Sequence, residues 1–340
     1  MHWKMLKAFV NFRSHYQAIL PYNLSWQIRN VNFIHDFLTV NPLNIIDIGA
    51  RGNSIGEIDN LRPYINYMGF EADETEASLL EKINPGFNSY KIYPIFVGDI
   101  NGEKDFYLFK NRGESSSLLP NELFKNDFGG ESFSIENKIK VNSLTLDSII
   151  RQELIEIDFI KLDTQGTELD ILISSPHSVE QAVIIEIEAE FYQIYKDQSL
   201  FYDIGKHLTE KGYQLLYLNR VFANRRIYDG EARGQVIFCD ALFGKDNSII
   251  NKMSDIKKMK YIIMLINYGH LDLAYQILKE NDKLINLVPN IGKFFKIKNG
   301  ILCKIKRNIS MQIDKVISFL LYLRKTNKLR YDSDRSWPIR

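Results

Sequence analysis

The sequence predicts an α/β fold built on a mostly parallel β-sheet with helices on both faces. From residue 44 onward, short apolar runs alternate with stretches of helical periodicity, as expected of βαβ units. Two of these runs end in a carboxylate close to a glycine, a pattern typical of the ligand-binding edge of such a sheet. The 340 residues, 45% of them hydrophobic, suffice for one large domain and a smaller appendage.

Periodicity and end signals assign the individual elements. The predicted strands are residues 45–48, 64–70, 90–97, 158–163, 182–188, 213–218 and 235–243. The predicted helices are residues 25–40, 73–83, 144–150, 166–173 and 200–211. Asp73 and Glu76 form a capping-box pattern, and Gly212 follows the last of these helices. The last two strands are joined without helical periodicity, so we expect them to pair antiparallel.

Two predictions concern the middle of the chain. Asn101 and Gly102 are a strong hairpin signal, after which residues 105–109 are expected to return as a strand. Residues 111–130 are polar, contain three consecutive serines at 115–117 and end in two glycines. This composition predicts a long surface loop, and loops of that length often act as lids or binding segments.

Residues 44–52, NIIDIGARG, are the most informative stretch, together with residues 67–73, YMGFEAD. In an open α/β sheet the glycines let the backbone approach a nucleoside, and the second carboxylate, Glu71, can bind ribose hydroxyls. The G-x-G-x-x-G pattern of dinucleotide sites is absent, because Arg51 occupies the position of its second glycine. The pattern therefore favours S-adenosylmethionine over a dinucleotide and disfavours a nicotinamide-dependent oxidoreductase.

Charge and cysteine content limit the remaining classes. From residue 245 to residue 340 there are 20 Lys/Arg and 8 Asp/Glu, a balance of +12, so the first 244 residues carry −11 within a net charge of +1. The two cysteines, Cys239 and Cys303, show no metal-ligand spacing, which predicts a reducing, cytoplasmic location. No apolar run resembles a signal peptide or reaches membrane-spanning length.

Four sequence blocks, in order, resemble the FkbM-type S-adenosylmethionine-dependent methyltransferases over about residues 44–243. They are DIGARG at 47–52, GFEAD at 69–73, IKLDTQGTELDIL at 160–172 and IEIEAEF at 185–191. The resemblance implies the Rossmann-like class I methyltransferase fold, with a seven-stranded sheet whose last strand is antiparallel. It also implies O-methyl transfer from S-adenosylmethionine to a hydroxyl of a glycan, a glycolipid or a related saccharide precursor.

The same resemblance implies the cofactor-binding residues. These are Asp47, Gly49, Ala50, Arg51, Gly52, Glu71, Ala72, Asp73, Gly98, Asp99 and Asp163. Asp47, Gly49 and Ala50 would line the methionine side, Glu71 would bind the ribose, and Gly98 and Asp99 would lie near the adenine. Asp163 ends the fourth strand, at the edge of the sheet where ligands bind.

Methyl transfer to a sugar hydroxyl requires a group that accepts the hydroxyl proton. The candidate catalytic residues are Asp163, Glu188 and Glu168, although Glu168 could instead offset the dipole at the start of its helix. Glu186, Glu188 and Glu190 alternate and so share one face of the fifth strand, which requires solvation, protonation or a cation. Glu186, Tyr195 and Gln198 are candidate substrate-binding residues, with ordinary packing as the alternative for the latter two. The scattered histidines predict no metal site.

Two departures from the family pattern support an alternative function. Asn53 replaces a frequent third glycine, and Gln165 stands where many relatives carry glutamate, which removes a titratable group beside Asp163. A catalytically degenerate methyltransferase fold kept as a binding or scaffold module is therefore the second hypothesis.

The predicted organisation is an N-terminal helical segment (1–43), the methyltransferase domain (44–244) and a basic helical extension (245–340). In the extension, residues 261–280 predict two helices broken at residues 267–270, and residues 305–321 predict a basic amphipathic helix. That last helix could lie on an anionic membrane at the inner face, or pack on the catalytic domain or a second subunit. Nucleic acid is not expected as a partner, because no binding motif accompanies the charge.

Overall fold

The computed structural model describes residues 32–53, 56–83, 85–153, 155–230, 232, 234–289, 291–295 and 331–333. Its strands are β1 (Leu43–Ile48), β2 (Ile65–Phe70), β3 (Ser89–Tyr93), β4 (Phe96–Val97), β5 (Gly102–Phe109), β6 (Ile135–Leu144), β7 (Phe159–Leu162), β8 (Ile184–Glu190), β9 (Tyr213–Ala223), β10 (Gln235–Lys245) and β11 (Tyr331–Ser333). Six of the seven predicted sheet strands are present with shifted ends, and the third, at 90–97, is divided.

The main sheet has the strand order β3-β2-β1-β7-β8-β10-β9-β11. The strands from β3 to β8 pair in parallel, whereas β10 runs antiparallel to both β8 and β9. β11 adds an antiparallel edge to β9. The expected class I methyltransferase sheet, seven strands with the last one reversed, is therefore confirmed within the described part of the chain, with β11 as an addition.

A second sheet, with the order β4-β6-β5, was not predicted. The predicted third strand at 90–97 is wrong as a single element, because it splits around Pro94 into β3 and β4, which lie in different sheets. Proline has no N–H to continue the ladder beyond Tyr93. The expected hairpin is also wrong: β5 pairs antiparallel with β6. Most β6 side chains are exposed, so the strand carries little apolar alternation.

The helices cover one or the other face of the main sheet. They are α1 (Asn32–Val40), α2 (Glu74–Glu81), α3 (Glu122–Phe124), α4 (Leu146–Glu153), α5 (Glu168–Ser174), α6 (Pro176–Gln181), α7 (Phe201–Glu210), α8 (Asn247–Ile250), α9 (Asp255–Tyr268), α10 (Leu271–Glu280), α11 (Leu284–Leu287) and α12 (Ile291–Phe294). The predicted helix at 25–40 is confirmed for α1, and residues 25–31 lie outside the described residues. No helix in the described ranges is long and apolar enough to span a bilayer.

Asp73 is the N-cap of α2, as predicted, and its side chain accepts hydrogen bonds from the backbone N–H groups of Thr75 and Glu76. The second hydrogen bond of the predicted capping box, from the N–H of Asp73 to Glu76, is replaced by another. Glu71 Oε1, rather than Glu76, accepts the N–H of Asp73 at 2.9 Å. Glu76 instead forms an ion pair with Arg51 at 3.1 Å. The start of α2 is thus linked to the glycine turn after β1.

The polar segment at 111–130 is not the surface loop that the sequence predicts. It folds into helical turns at Arg112–Glu114, Glu122–Phe124 and Lys125–Gly129, followed by Gly130–Phe133. Phe124, Phe128 and Phe133 bury their rings in an aromatic cluster with Tyr195. Aromatic burial outweighs the polar composition here, because each ring removes a large apolar area from water.

The C-terminal helix α9 is buried from Lys258 to Tyr268 and packs in one core of the main sheet. Beneath it, the fully buried carboxylate of Asp158 contacts Lys257 Nζ at 2.8 Å and Lys260 Nζ at 2.7 Å. The predicted break between two helices is confirmed at Gly269, which adopts a left-handed conformation (φ +87°). The predicted amphipathic helix at 305–321 lies outside the described residues.

Candidate active site

A cavity of about 210 Å³ opens at the carboxyl ends of the parallel strands. One part is apolar and is lined by Ile48, Phe70, Ile95, Phe96, Val97 and Phe106. The other part is polar and is lined by Arg112, Gly113, Ser115, Asp163, Thr164 and Gln165. Gly49, Arg51, Glu71 and Ala72 complete the wall.

The strand order gives the direction of this cavity. Residues 95–97 follow β3, Glu71 follows β2, Gly49 follows β1 and Asp163 follows β7, and these strands are consecutive in the sheet. The cavity therefore runs from an apolar region, past a carboxylate, to a polar region. Such an edge is where ligands bind in open α/β sheets.

The turn after β1 brings the backbone very close to the end of β7, its neighbour in the sheet. Gly49 has φ +84°, and a Cβ atom there would lie 1.9 Å from the carbonyl oxygen of Asp163. The N–H groups of Gly49 and Ala50 both donate to the carbonyl oxygen of Phe70, at 2.9 and 3.0 Å. Only glycine fits at position 49, because the space and the backbone angle both exclude a side chain.

Asp47 is fully buried and is not among the cavity-lining residues. Its carboxylate accepts hydrogen bonds from the hydroxyl of Tyr67 at 2.6 Å and from Lys161 Nζ at 3.2 Å. Burial raises the pKa of Asp47, which Lys161 partly offsets. The structure thus places this residue, predicted to bind cofactor, in a buried ion pair that supports the turn at Gly49.

Glu71 lines the cavity directly after β2 and is almost completely buried. Burial raises the pKa of its carboxyl group, and the N–H of Asp73 together with the charge of Arg51 opposes that change. Arg51 lies 3.8 Å from Glu71, 3.3 Å from Asp73 and 3.1 Å from Glu76. The arginine that the sequence places in the glycine turn therefore holds three carboxylates at one side of the cavity.

The remaining predicted cofactor residues lie at different distances from the cavity. Ala72 lines it, whereas Gly52 (φ +82°), Gly98 and Asp99 are not among its lining residues. Asp99 forms an ion pair with Lys104, and Gly98 packs against the side chains of Ser143 and Phe96. In place of Gly98 and Asp99, the preceding apolar residues 95–97 face the cavity.

Gln165 joins the two carboxylates that the sequence proposes as the catalytic base. Its Nε2 donates to Asp163 Oδ1 at 2.8 Å and to Glu188 Oε1 at 3.1 Å. Its backbone is left-handed (φ +58°), and its carbonyl oxygen accepts a hydrogen bond from Ser116 Oγ at 2.7 Å. A neutral amide therefore satisfies one oxygen of each carboxylate and keeps the two carboxylates apart.

The three alternating glutamates of β8 have different surroundings. Glu186 is buried and accepts a hydrogen bond from the hydroxyl of Tyr268 in α9 at 2.5 Å. Glu188 is half-buried beside Asp163, and burial followed by the charges of Asp163 and Glu190 raises its pKa strongly. Glu190 is fully buried, and burial followed by the charge of Glu168 raises its pKa. Of the three, Glu188 is the one linked to the cavity through Gln165.

Glu168 supports the loop after β7. Its carboxylate accepts hydrogen bonds from the N–H of Thr164 at 2.7 Å, the hydroxyl of Thr164 at 2.9 Å and the N–H of Gly166 at 3.1 Å. The side chain thus stabilises the loop that carries Asp163 and Gln165, and it is fully buried away from the cavity lining.

Tyr195 and Gln198 also lie inside the protein. The Tyr195 hydroxyl donates to Gln165 Oε1 at 2.7 Å, with the carbonyl oxygen of Glu114 2.9 Å away. Gln198 Oε1 accepts the N–H groups of Ile194 and Tyr195. Both residues, predicted to bind substrate, are nearly or fully buried and support the polar part of the cavity.

Residues 112–116 form a polar wall that the sequence did not predict. Ser115 and Ser116 are buried, and Arg112 and Ser115 line the cavity. Glu114 lies between two lining residues, and burial together with the charge of Asp163 raises its pKa to about 7. The serine run and the expected lid were the available signals, but no periodicity marked Arg112 or Glu114.

Comparison with known proteins gives one family match. The family described as "Methyltransferase FkbM domain" matches residues 52–215. A curated relative, the 2-O-methyltransferase NoeI of Sinorhizobium fredii (strain NBRC 101917 / NGR234), is 24% identical over 162 residues. That alignment covers 45% of this chain and 66% of the relative, just under two thirds of its length.

Two solved structures are also similar at low identity. The magnesium protoporphyrin IX methyltransferase (ChlM) of Synechocystis PCC 6803 with bound SAM is 11% identical, with a TM-score of 0.31 over 70% of this chain and 91% of that one. The precorrin-6y C5,15-methyltransferase of Geobacter metallireducens GS-15 is 11% identical, with a TM-score of 0.29 over 62% and 87%.

Proposed function

Because this chain belongs, through residues 52–215, to the FkbM methyltransferase family, we propose that it transfers the methyl group of S-adenosylmethionine to a saccharide hydroxyl. The acceptor class is a glycan, a glycolipid or a related saccharide precursor. The name of the similar relative NoeI, a 2-O-methyltransferase, supports transfer to oxygen. The observation that carries the proposal is the pair Asp163 and Glu188, joined by Gln165 beside the cavity.

The residues of the cavity fit S-adenosylmethionine by their chemistry. The apolar part suits a purine ring, and the Glu71 carboxylate suits the two hydroxyls of a ribose. When bound, S-adenosylmethionine supplies an electrophilic methyl group on a sulfonium.

In the proposed mechanism, Asp163, which lines the cavity, accepts the proton of the acceptor hydroxyl, and Glu188 supports it by holding the Gln165 amide. The oxygen–methyl bond forms as the methyl–sulfur bond breaks, so one proton must leave the hydroxyl. Gln165 orients both carboxylates before the acceptor arrives. Proximity and orientation supply a large share of the rate in such displacements.

Incubation with labelled S-adenosylmethionine and a panel of nucleotide sugars and lipid-linked glycans tests the proposal. We expect a labelled product with the wild type, and transfer at least about 100-fold slower for Asp163→Asn, because a positioned general base contributes that much. The exposed Glu103→Gln is the matched control and should leave the rate unchanged. Calorimetry that finds no binding of S-adenosylmethionine by the wild type would overturn the proposal.

A second candidate is a catalytically inactive module that binds partners. The amide of Gln165 between two carboxylates is the observation that favours it, because an amide cannot accept a proton from a substrate. An inactive module should bind the cofactor poorly or not at all. Cofactor binding together with labelled product would reject this candidate.

We propose residues 44–244 as the methyltransferase domain, and we propose that the basic segment 245–340, whose helix α9 packs in the core of that domain, also contacts a partner surface. Its balance of +12 supports contact with an anionic membrane at the inner face, and packing on a second copy in a homo-oligomer is the alternative. Cosedimentation with anionic vesicles tests the membrane proposal. Unchanged vesicle binding after deletion of residues 300–340 would reject a role for the predicted amphipathic helix.

A further inference from the structure

The stretch from Arg112 to Ser115 forms a wall of the cavity beside the loop after β7. Arg112 and Ser115 line the cavity, and the adjacent Ser116 hydroxyl binds the carbonyl oxygen of Gln165 at 2.7 Å. The carbonyl oxygen of Glu114 lies 2.9 Å from the Tyr195 hydroxyl, which also contacts Gln165. These contacts place the wall at the polar part of the cavity, next to Asp163.

Arg112 carries hydrogen-bond donors that the described protein residues do not fully use. Its Nη2 donates to Glu136 Oε2 at 3.2 Å, on the exposed side. Its Nη1 is shielded from solvent and has no hydrogen-bond partner among the described residues. Leaving a shielded charged donor unpaired costs free energy, and a turn of the guanidinium toward the cavity would let an acceptor on a ligand recover it.

Ser115 offers a second donor on the same wall. Its Oγ accepts the backbone N–H of Phe109 at 3.2 Å. Among the described residues, the Ser115 hydroxyl donates no hydrogen bond. Its hydrogen is therefore available to a ligand. A guanidinium and a hydroxyl that line one cavity suit a carboxylate or a phosphate.

Arg51, the other arginine that lines the cavity, is not equivalent. It is within 4.0 Å of the carboxylates of Glu71, Asp73 and Glu76. Those three partners neutralise it and occupy its donors. Arg112 has one carboxylate partner, so it is the arginine with capacity for an anion.

We propose that Arg112, assisted by Ser115, binds the carboxylate of the amino-acid part of S-adenosylmethionine; this inference rests on the proposed function. In the proposed binding mode the purine lies against residues 95–97 and the ribose at Glu71, and the strand order then directs the methionine part toward Asp163 and Arg112. The Arg112 guanidinium there complements the carboxylate of that methionine part. Arginine pairs with carboxylates through parallel hydrogen bonds, which gives geometric selectivity.

The test compares S-adenosylmethionine with decarboxylated S-adenosylmethionine, which lacks the carboxylate. Calorimetry measures both dissociation constants for the wild type, Arg112→Gln, Arg112→Lys and the exposed control Arg225→Gln. We expect the wild type to bind S-adenosylmethionine about 10- to 100-fold more tightly than decarboxylated S-adenosylmethionine. That difference is typical of the loss of a charge-assisted hydrogen bond. Arg112→Gln should lose this preference, because it binds S-adenosylmethionine more weakly and the decarboxylated compound equally well. Arg112→Lys should keep part of the preference, and Arg225→Gln should keep all of it.

Each other outcome is decisive. Equal affinity of the wild type for the two compounds overturns this inference and leaves the proposed function intact. An Arg112→Gln variant that still distinguishes them also overturns it, because another group then recognises the carboxylate. Binding of neither compound by the wild type overturns the proposed function and this inference with it. Thermal unfolding of each variant shows whether a loss of affinity reflects a loss of folding.

Discussion

The hydroxyl of Tyr195 donates a hydrogen bond to Gln165 Oε1 at 2.7 Å, and this contact fixes which end of the amide faces the carboxylates. With the oxygen held by the tyrosine, the NH2 group points to Asp163 and Glu188. Reversing the amide would place its oxygen against two carboxylate oxygens. A buried tyrosine in the aromatic cluster thereby orients the polar part of the cavity.

Replacing Tyr195 by phenylalanine should lower kcat about 3- to 10-fold, the usual effect of removing one neutral hydrogen bond. The affinity for S-adenosylhomocysteine should stay within about twofold of the wild type, since Tyr195 does not line the cavity. Steady-state kinetics and calorimetry measure the two quantities. Tyr202→Phe is the control, because that side chain is 70% exposed. A variant with unchanged kcat and weakened cofactor binding would contradict this role.

Replacing Glu71 by glutamine should weaken S-adenosylhomocysteine binding about 10-fold or more, because hydrogen bonds to charged groups contribute roughly 1.5–3 kcal/mol. The same loss is expected for 5′-methylthioadenosine, which keeps the ribose and lacks the amino-acid part. Glu74→Gln, at an exposed position in the first turn of α2, is the control. If 5′-methylthioadenosine binding were unaffected, Glu71 would not contact the ribose.

Glu114 should make the preference for the cationic cofactor depend on pH. Its pKa is raised to about 7, so it is neutral at pH 6 and ionised at pH 8. The ionised form attracts a sulfonium more than a neutral thioether, so the ratio of S-adenosylmethionine to S-adenosylhomocysteine affinity should rise about two- to fivefold between these pH values. Calorimetry at both pH values gives the ratio. In Glu114→Gln the ratio should be constant, and a persisting rise would assign the effect to another group.

Asp158→Asn should lower the free energy of unfolding by about 3–5 kcal/mol, because it leaves two buried lysine ammonium groups without their carboxylate. Those groups, on Lys257 and Lys260, join α9 to the sheet. Urea titration followed by circular dichroism measures the change. Glu153→Gln breaks the more exposed pair with Lys91 and should cost less than about 1 kcal/mol. Similar losses in the two variants would refute the anchoring role.

The sequence predicts the central strands of the main sheet well, because the apolar runs of β1, β2, β7 and β8 are almost entirely buried. It predicts the small sheet poorly. β6 exposes most of its side chains, so its sequence shows no regular alternation of apolar and polar residues. Its pairing with β5 depends on backbone hydrogen bonds, which the sequence does not reveal. For residues 111–130 the sequence wrongly predicts an exposed loop, because most of these residues are polar. The phenylalanines among them are buried against Tyr195, which is distant in the sequence.

In the site too, the sequence identifies some residues and not others. Glu71 and Asp163, both singled out from the sequence, line the cavity, because the local pattern fixes where the strands end. The partners of Asp47 lie 20 and 114 residues away in the chain, and no local pattern reveals that they form a buried pair. Arg112 reaches the cavity only because the segment that carries it folds back onto Gln165.

The family match ends at residue 215, inside β9, whereas the sheet continues through β10 and is covered by the buried helix α9. Protein engineers who build chimaeras at the border of the sequence match would cut one strand in half and discard the helix that holds Asp158. Crossover points for exchanging acceptor specificity between relatives belong beyond α12, because Leu284, Val288 and Ile291 are buried in the same core as α9.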